Sequence, residues 1–180
     1  MDFDLLGFLF CIVRKRSKME EIINYLESRN IFLALLPCWL IIDLKIILHA
    51  VNIVLKDFKM GENRAKKPNL ELLLRLAGTD QIREAIKFFE IKESEKYVIV
   101  VFASKDASWN LDDVRTYLKR FSDAIEVDKY INQCKPCIKR IIEQYRVTRE
   151  EVRAIKRSYD NVNEWIEKIL LERIALALLK

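Results

Sequence analysis

The chain has 180 residues, 51% of them hydrophobic and 33% charged, and its formal net charge at pH 7 is +5. This length and composition predict a soluble globular protein that forms one domain over residues 1–180. Three glycines are too few for the clustered glycines of phosphate-binding loops, which excludes nucleotide-binding motifs of that type. The scarcity of glycine and proline also favours a helix-rich fold.

The sequence predicts a cytoplasmic protein that does not span a membrane. Its four cysteines do not make a disulfide framework in a chain of this size. Residues 5–13 are apolar, but acidic residues precede them and basic residues follow, which is the reverse of a secretory signal. The most apolar stretch, residues 31–55, contains Asp43 and Lys45 and leaves no uncharged run long enough for a membrane span. High lysine and glutamate content with few glutamines is typical of a thermophile.

Hydrophobic patterning predicts a fold in which helices outnumber strands. The clearest strand is Tyr97–Ala103, because an unbroken apolar run is expected where both faces of a strand are covered. Other strands are predicted at 5–13 and 31–36, with a third candidate at 39–42. Helices are predicted at 17–28, 43–58, two over 69–86, 110–121, 129–145, a short one from 148, and 161–180. The fold class is therefore α/β of the α+β type, helix-rich, with a small, mostly antiparallel or mixed sheet of about three to four strands flanked by helices.

Residues 69–86 are the stretch around which the chain is organised, and they predict two short helices joined at Gly78. Pro68 suits the first position of a helix, and Gly78 suits a left-handed C-terminal cap. Glu71 and Arg75 are four residues apart, in the order that favours an ion pair on a helix surface. The apolar stripe of the first helix comprises Leu70, Leu73, Leu74 and Ala77.

The second helix of this pair follows Thr79 and Asp80, either of which can cap it. Two helices around a glycine also occur in helix-turn-helix DNA-binding proteins. Such motifs usually need an apolar residue about six positions after the glycine, where this chain has Glu84. A structural helical hairpin and a helix-turn-helix nucleic-acid-binding protein both remain open on periodicity alone. The apolar stripe of the second helix comprises Ile82, Ala85, Ile86 and Phe89.

A basic loop, residues 59–68, directly precedes this hairpin and carries Arg64, Lys66 and Lys67. Ordinary solvation accounts for such a loop, and its position makes contact with phosphate groups the next candidate. At the other end of the chain, the last helix is apolar around most of its circumference from Ile174 onward. A terminal helix of this kind is buried either in its own core or in a partner.

Cys134 and Cys137 have the spacing of half a zinc site or of a redox pair. The chain offers no second ligand pair, so inert thiols, a disulfide between the two, a metal site and a redox pair all remain open. A metal- or redox-dependent enzyme centred on this pair is accordingly a third hypothesis. His49 is the single histidine, and no nucleophile motif accompanies it. The sequence therefore predicts no catalytic residue, no cofactor and no enzyme.

Residues 70–82 and 84–86 resemble the central motif of the small kinase-binding subunit of the KEOPS (EKC) complex, a family called PRPK-binding protein in eukaryotes. The resemblance extends to Leu48–Ala50 and to Leu170–Leu176, and it is good over residues 31–103 and the last twenty residues. It implies a non-catalytic regulatory subunit, of archaeal type, that binds the small atypical kinase/ATPase subunit. It also implies engagement of tRNA at the acceptor end, and indirect association with the catalytic subunit that makes threonylcarbamoyladenosine.

The residues that match polar positions of this family motif are Arg75, Thr79 and Gln81. Together with the basic loop they predict a tRNA-binding surface comprising Arg64, Lys66, Lys67, Arg75, Thr79 and Gln81. Asp80 departs from the motif, since the family often has a basic residue there and a carboxylate repels phosphate. Contact with the kinase is predicted for apolar residues after the hairpin and at the chain end, namely Phe88, Ile91, Leu176 and Leu179.

Overall fold

Helices dominate the computed structural model, which describes residues 11–12, 19–92, 98–104, 112–113, 116, 125–126, 135–156 and 161–177. The helices with defined bounds are α1 (Met19–Glu27), α2 (Leu44–Met60), α3 (Pro68–Ala77), α4 (Ile82–Phe88), α5 (Ile138–Gln144), α6 (Arg149–Lys156) and α7 (Val162–Leu176). Within these described ranges, no helix combines the length and the apolarity needed to cross a lipid bilayer.

Four strands form two antiparallel pairs in the described part of the chain. They are β1 (Cys11–Ile12), β2 (Ile31–Pro37), β3 (Val98–Ser104) and β4 (Ile125–Glu126). β2 pairs with β3 along its whole length, from Ile31 opposite Ser104 to Pro37 opposite Val98, and β1 pairs with β4 over two residues. The prediction of a helix-rich α+β fold with antiparallel pairing is confirmed. The expected single sheet of three to four strands is replaced, in these residues, by two separate two-stranded pairs.

Two predicted elements differ from the structure. The third strand candidate, residues 39–42, is replaced by a 3-10 turn at Cys38–Leu40, which begins directly after Pro37 at the end of β2. In the helix predicted over 129–145, residues 135–137 precede α5, which begins at Ile138, and the N–H of Cys137 donates instead to the carbonyl of Trp39 at 2.9 Å. Residues 129–134 lie outside the described residues. The predicted strand residues 5–10 and most of the helix 110–121 lie outside the described residues.

Local capping follows the sequence closely at most helix ends. The side chain of Asp43 caps α2 by accepting from the N–H of Lys45 at 2.9 Å, as predicted. Gly78 ends α3 with φ = +67°, the left-handed conformation that only glycine adopts without strain. The prediction for α4 is wrong, since neither Thr79 nor Asp80 caps it. Its N-cap is Gln81, which makes no side-chain cap bond.

Helix α3 lies at the centre of the described fold, where it packs against α2, α4, α7 and both strands of the longer pair. Every residue from Glu71 to Leu76 is buried, so α3 is covered on all sides. The predicted stripe is therefore too narrow: Leu72 and Leu76 are also buried, while Leu70 and Ala77 are partly exposed. Asn69 also ties the first turn of α3 to β2, because its Nδ2 donates to the carbonyl of Leu33 at 3.0 Å.

Candidate functional site

A buried cluster of charged residues lies beneath the hinge between α3 and α4. Arg75 Nη2 contacts Asp57 Oδ2 at 2.6 Å, and both side chains are more than nine-tenths buried. Glu71 is fully buried, and its Oε1 lies 3.8 Å from Arg75 Nε. The predicted surface pair of Glu71 and Arg75 is thus an interior pair that Asp57, from α2, completes. A buried charge is tolerated only when it is paired in this way.

The same glutamate fixes the loop that connects α2 to α3. Glu71 Oε2 accepts the backbone N–H groups of Arg64 at 2.9 Å and Ala65 at 2.7 Å. Ala65 is itself buried, so this bond lies away from solvent. Charge-assisted hydrogen bonds to backbone N–H groups are among the stronger ones in proteins. The basic loop is therefore held against α3 in one conformation.

The residues predicted to contact tRNA surround the hinge but differ in accessibility. Arg75 was predicted on the surface; its guanidinium is buried and engaged with Asp57, which removes it from contact with a macromolecule. Lys66 is exposed, and the neighbouring Lys67 forms an ion pair with Glu27 at 2.7 Å. The basic loop lies beside the hinge, where Arg64 approaches Asp80, and both Arg64 and Lys66 are exposed.

The polar residues of the hinge bond mainly to one another. Thr79 Oγ1 donates to Glu84 at 2.9 Å, and Gln81 Nε2 donates to Asp80 at 3.2 Å. Arg64 Nη1 lies 3.9 Å from Asp80 Oδ2, so the loop supplies a cation beside the carboxylate that departs from the family motif. This proximity lowers the local negative charge at the hinge.

A cleft of about 800 Å³ opens beside the hinge. One side carries Thr79 and Phe88, and the other carries Tyr145, Arg146 and Arg173. The ring of Phe88 meets that of Tyr145 edge to face, with centroids 4.8 Å apart. The cleft thus combines aromatic rings with charged groups of both signs. Local sequence patterns do not reveal this cleft, because its two sides are more than fifty residues apart in the chain.

Arg173 holds together the segment on the far side of this cleft. It forms a bidentate contact with Glu151, with Nη2 at 2.7 and 2.9 Å from the two carboxylate oxygens, and it also donates to the carbonyl of Tyr145. Glu151 further completes a capping box with Thr148, as predicted from sequence. Although desolvation acts to raise the pKa of Glu151, the bonds from Thr148 and Arg173 outweigh it and lower this pKa from its usual value of 4.5.

This lowered pKa makes part of the protein's stability depend on pH. A carboxylate whose pKa falls on folding contributes stability above its unfolded pKa of about 4.5, and this contribution disappears as the pH drops through the lower folded value. We therefore expect Glu151→Gln to reduce the urea midpoint at pH 7, and the difference from the parent protein to shrink progressively as the pH falls below about 4.5. Glu150→Gln, at the exposed neighbouring position, is the control. A difference between parent and Glu151→Gln that stayed constant down to pH 3 would contradict the role of the charge.

The residues predicted to contact the kinase differ in how exposed their side chains are. Leu176, near the end of α7, is 58% exposed, while Phe88 and Ile91 are half-buried. Leu179 lies outside the described residues. On α4, Ile82 and Ile86 were predicted to face inward and are instead 41% and 51% exposed, because only the side of α4 that carries Ala85 and Phe89 is buried.

The disulfide between Cys134 and Cys137, one of the alternatives that the sequence leaves open, does not form. Cys137 is a free thiol, which rules out a disulfide between it and Cys134, whose own position is outside the described residues. Cys38 is disulfide-bonded. Among the residues that the structure describes, no three His, Cys, Asp or Glu side chains come together as a metal site.

Comparisons with known proteins identify a matching family and a relative with a named role. A model of the family described as kinase binding protein CGI-121 matches residues 11–177. The KEOPS complex subunit Cgi121 of Pyrococcus abyssi (strain GE5 / Orsay) is 37% identical over 67 residues. This alignment covers 37% of the chain but only 39% of that relative's length. Because the family model matches nearly the whole chain and not the hairpin alone, the chain belongs to the CGI-121 family of kinase-binding proteins.

Proposed function

We propose that this protein is a KEOPS subunit that binds the atypical kinase/ATPase subunit and helps to recruit tRNA, without doing chemistry itself. The observation that carries the proposal is the match to a kinase-binding family over residues 11–177. The relative from Pyrococcus abyssi, named as a KEOPS subunit, supports the assignment to that complex. The catalytic threonylcarbamoyl transferase subunit is then an indirect partner, and the cytoplasm is the expected location.

The proposed kinase surface is the end of α7 together with the segment after α4. A large apolar side chain that is more than half exposed, such as Leu176, is a candidate anchor for a partner. Two turns earlier, Ile169 and Leu170 are buried in the core, so α7 is rigidly held where it presents this residue. Ile91 and Phe88 are half-buried and offer further apolar area on the α4 side.

The test of kinase binding is a titration of the full-length protein against the kinase subunit of the same organism. We expect a one-to-one complex with a dissociation constant in the micromolar range or tighter, since a specific interface of standard size gives at least that affinity. The absence of binding by a folded, monodisperse protein would contradict the proposal and leave only a shared fold.

The proposed tRNA surface is centred on Lys66, with Arg64, Lys67 and the hinge residues Thr79 and Gln81 beside it. Lysine and arginine contacts to phosphates supply most of the affinity for nucleic acids. The adjoining cleft, whose lining includes the exposed Arg146, is proposed to receive the unpaired 3′ end of the tRNA. In this proposal Arg75 is a positioning residue, because its buried ion pair with Asp57 holds the end of α3 in place beside the hinge.

Charge reversal at Lys66 tests this surface. We expect Lys66→Glu to weaken tRNA binding, and to reduce the slope of log affinity against log salt by about one, because one phosphate contact is lost. Lys139→Glu, an exposed position on α5, is the matched control. Equal affinities and slopes for the two variants would contradict the proposed surface.

Two nucleic-acid competitors complete the experiment. A tRNA without its unpaired 3′ end is expected to bind more weakly if the cleft receives a terminal base. Duplex DNA is expected to bind less well than tRNA at moderate salt. Preferential binding of duplex DNA would instead favour the helix-turn-helix alternative.

A further inference from the structure

The outer face of α2 carries a regular row of basic and polar side chains that do not contribute to the hydrophobic core. The row comprises Lys45, His49, Asn52, Lys56 and Lys59. Their spacing of four, three, four and three residues places them within one narrow arc of a helix with 3.6 residues per turn. All are exposed except His49, which is half-buried. The opposite face, with Ile46, Ile47, Ala50, Val51, Val54 and Phe58, is buried in the core.

The charge of this face is largely uncompensated. The two acidic residues closest in sequence do not lie in the arc: Asp43 is the N-cap, and Asp57 is buried against Arg75. Lys45 has a long contact of 3.7 Å with Asp43, with 72% of the lysine side chain exposed. Within the described residues, Lys56 and Lys59 form no ion pair. An exposed pair such as Lys45 and Asp43 leaves its charges available to a polyanion.

We propose that this face of α2 binds the phosphate backbone of tRNA, as an extension of the surface around Lys66. The inference rests on the proposed tRNA engagement. The row runs for about 21 Å at a rise of 1.5 Å per residue, and neighbouring side chains are about 5–6 Å apart. Its three lysines, with His49 and Asn52 between them as further hydrogen-bonding groups, can contact phosphates along one strand. Because α2 ends at Met60 and its C-terminal cap leads directly into the basic loop, Lys66 follows the last lysine of the row by seven positions in the chain.

The chemistry of the row favours RNA over a protein partner. Lysine is depleted from the cores of protein interfaces, because its ammonium group is costly to desolvate, whereas lysine contacts to phosphates are common. The apolar Leu48 and Met60 border the row and do not lie within it. Contacts of this kind carry no base specificity, so they hold the body of the tRNA while other groups recognise its end.

The test is a tRNA titration of the complex with the kinase, at several salt concentrations, using Lys45→Gln, Lys56→Gln and Lys59→Gln in one variant. Glutamine keeps the helix propensity of lysine, so α2 is expected to remain folded. The matched control combines Lys135→Gln, Lys139→Gln and Lys168→Gln, which removes the same charge from exposed positions outside α2. We expect the α2 variant to lose about tenfold or more in tRNA affinity and about two units of salt slope, with the control close to the parent protein.

The outcomes separate this inference from the proposal on which it rests. If the parent complex binds no tRNA, the proposed tRNA engagement fails, and this surface fails with it. If the parent complex binds tRNA and the α2 variant matches the control in affinity and salt slope, only the α2 surface is overturned. If the α2 variant loses kinase binding and keeps tRNA binding, the face belongs to a protein interface and the inference is likewise overturned.

Discussion

Replacing Arg75 with methionine is expected to destabilise the protein by about 3–5 kcal/mol, because the change leaves the buried carboxylate of Asp57 without its partner. The Arg75–Asp57 contact is 2.6 Å long, and both side chains are almost completely buried. Removing one member of such a pair strands a charge in the interior, which costs far more than loss of an exposed ion pair. Urea or guanidinium unfolding of the purified variant measures the effect.

Two further variants show whether the unpaired carboxylate of Asp57 causes the loss of stability. Arg75→Met combined with Asp57→Leu removes both charges and is expected to recover about half of the loss or more, since apolar replacements of buried pairs are often nearly neutral. Arg83→Met, at an exposed position on α4, is expected to change stability by less than about 0.5 kcal/mol. If Arg75→Met were as stable as the parent protein but lost tRNA binding, Arg75 would be a direct contact and the positioning role would be wrong.

Replacing Leu176 with glutamate is expected to weaken kinase binding about 30-fold or more while leaving the fold intact. Leu176 is 58% exposed, so a charge there is solvated in the free protein and costs little stability. In a complex the same charge would be buried in an apolar interface, where a hot-spot substitution costs about 2 kcal/mol or more. Calorimetric titration with the kinase subunit, together with thermal unfolding of the free variant, separates the two effects.

Val162→Glu is the matched control for this substitution. Val162 lies at the opposite end of the same helix and is also exposed, at 45%. Normal kinase binding by Leu176→Glu would exclude the end of α7 from the interface. The exposed pair Ile82 and Ile86 on α4 would then be the next apolar surface to test.

The order of elements could be predicted from the sequence because the signals for it are local. Pro68 and Gly78 mark the ends of α3, and Asp43 marks the start of α2; each acts through its own backbone geometry or side-chain bond. Strand β2 was recognised from its continuous apolar run, which reflects burial of both faces. Such signals need no knowledge of the rest of the fold.

The burial of the central charges could not be predicted from spacing alone. Glu71 and Arg75 have the separation of a surface pair, and their true environment depends on Asp57, eighteen residues before Arg75 on another helix. One signal was available: Leu72 and Leu76 follow directly after the two charged residues, so α3 is apolar on nearly every side. A helix of that kind is expected in the interior, and charges within it then require partners.

The candidate site was predicted only in part, because it too depends on contacts between segments that are distant in sequence. The proximity of the basic loop to the hinge follows from their adjacency in sequence. The cleft, in contrast, depends on packing between α4 and the segment from α5 to α6, and Gln144 Nε2 joins the two by donating to the carbonyl of Phe88 at 3.1 Å. The exposure of Ile82 and Ile86 likewise reflects which neighbours cover α4, which its own periodicity does not specify.

Because Glu71 bonds to the backbone of the basic loop, the conformation of that loop does not depend on its charged side chains. The carboxylate accepts main-chain N–H groups at Arg64 and Ala65, which every residue except proline provides. The conformation of the loop is therefore encoded in α3, while the side chains at Arg64 and Lys66 can be exchanged without dismantling it. Evolution can therefore change the electrostatic character of this surface in small steps, on a backbone that stays the same.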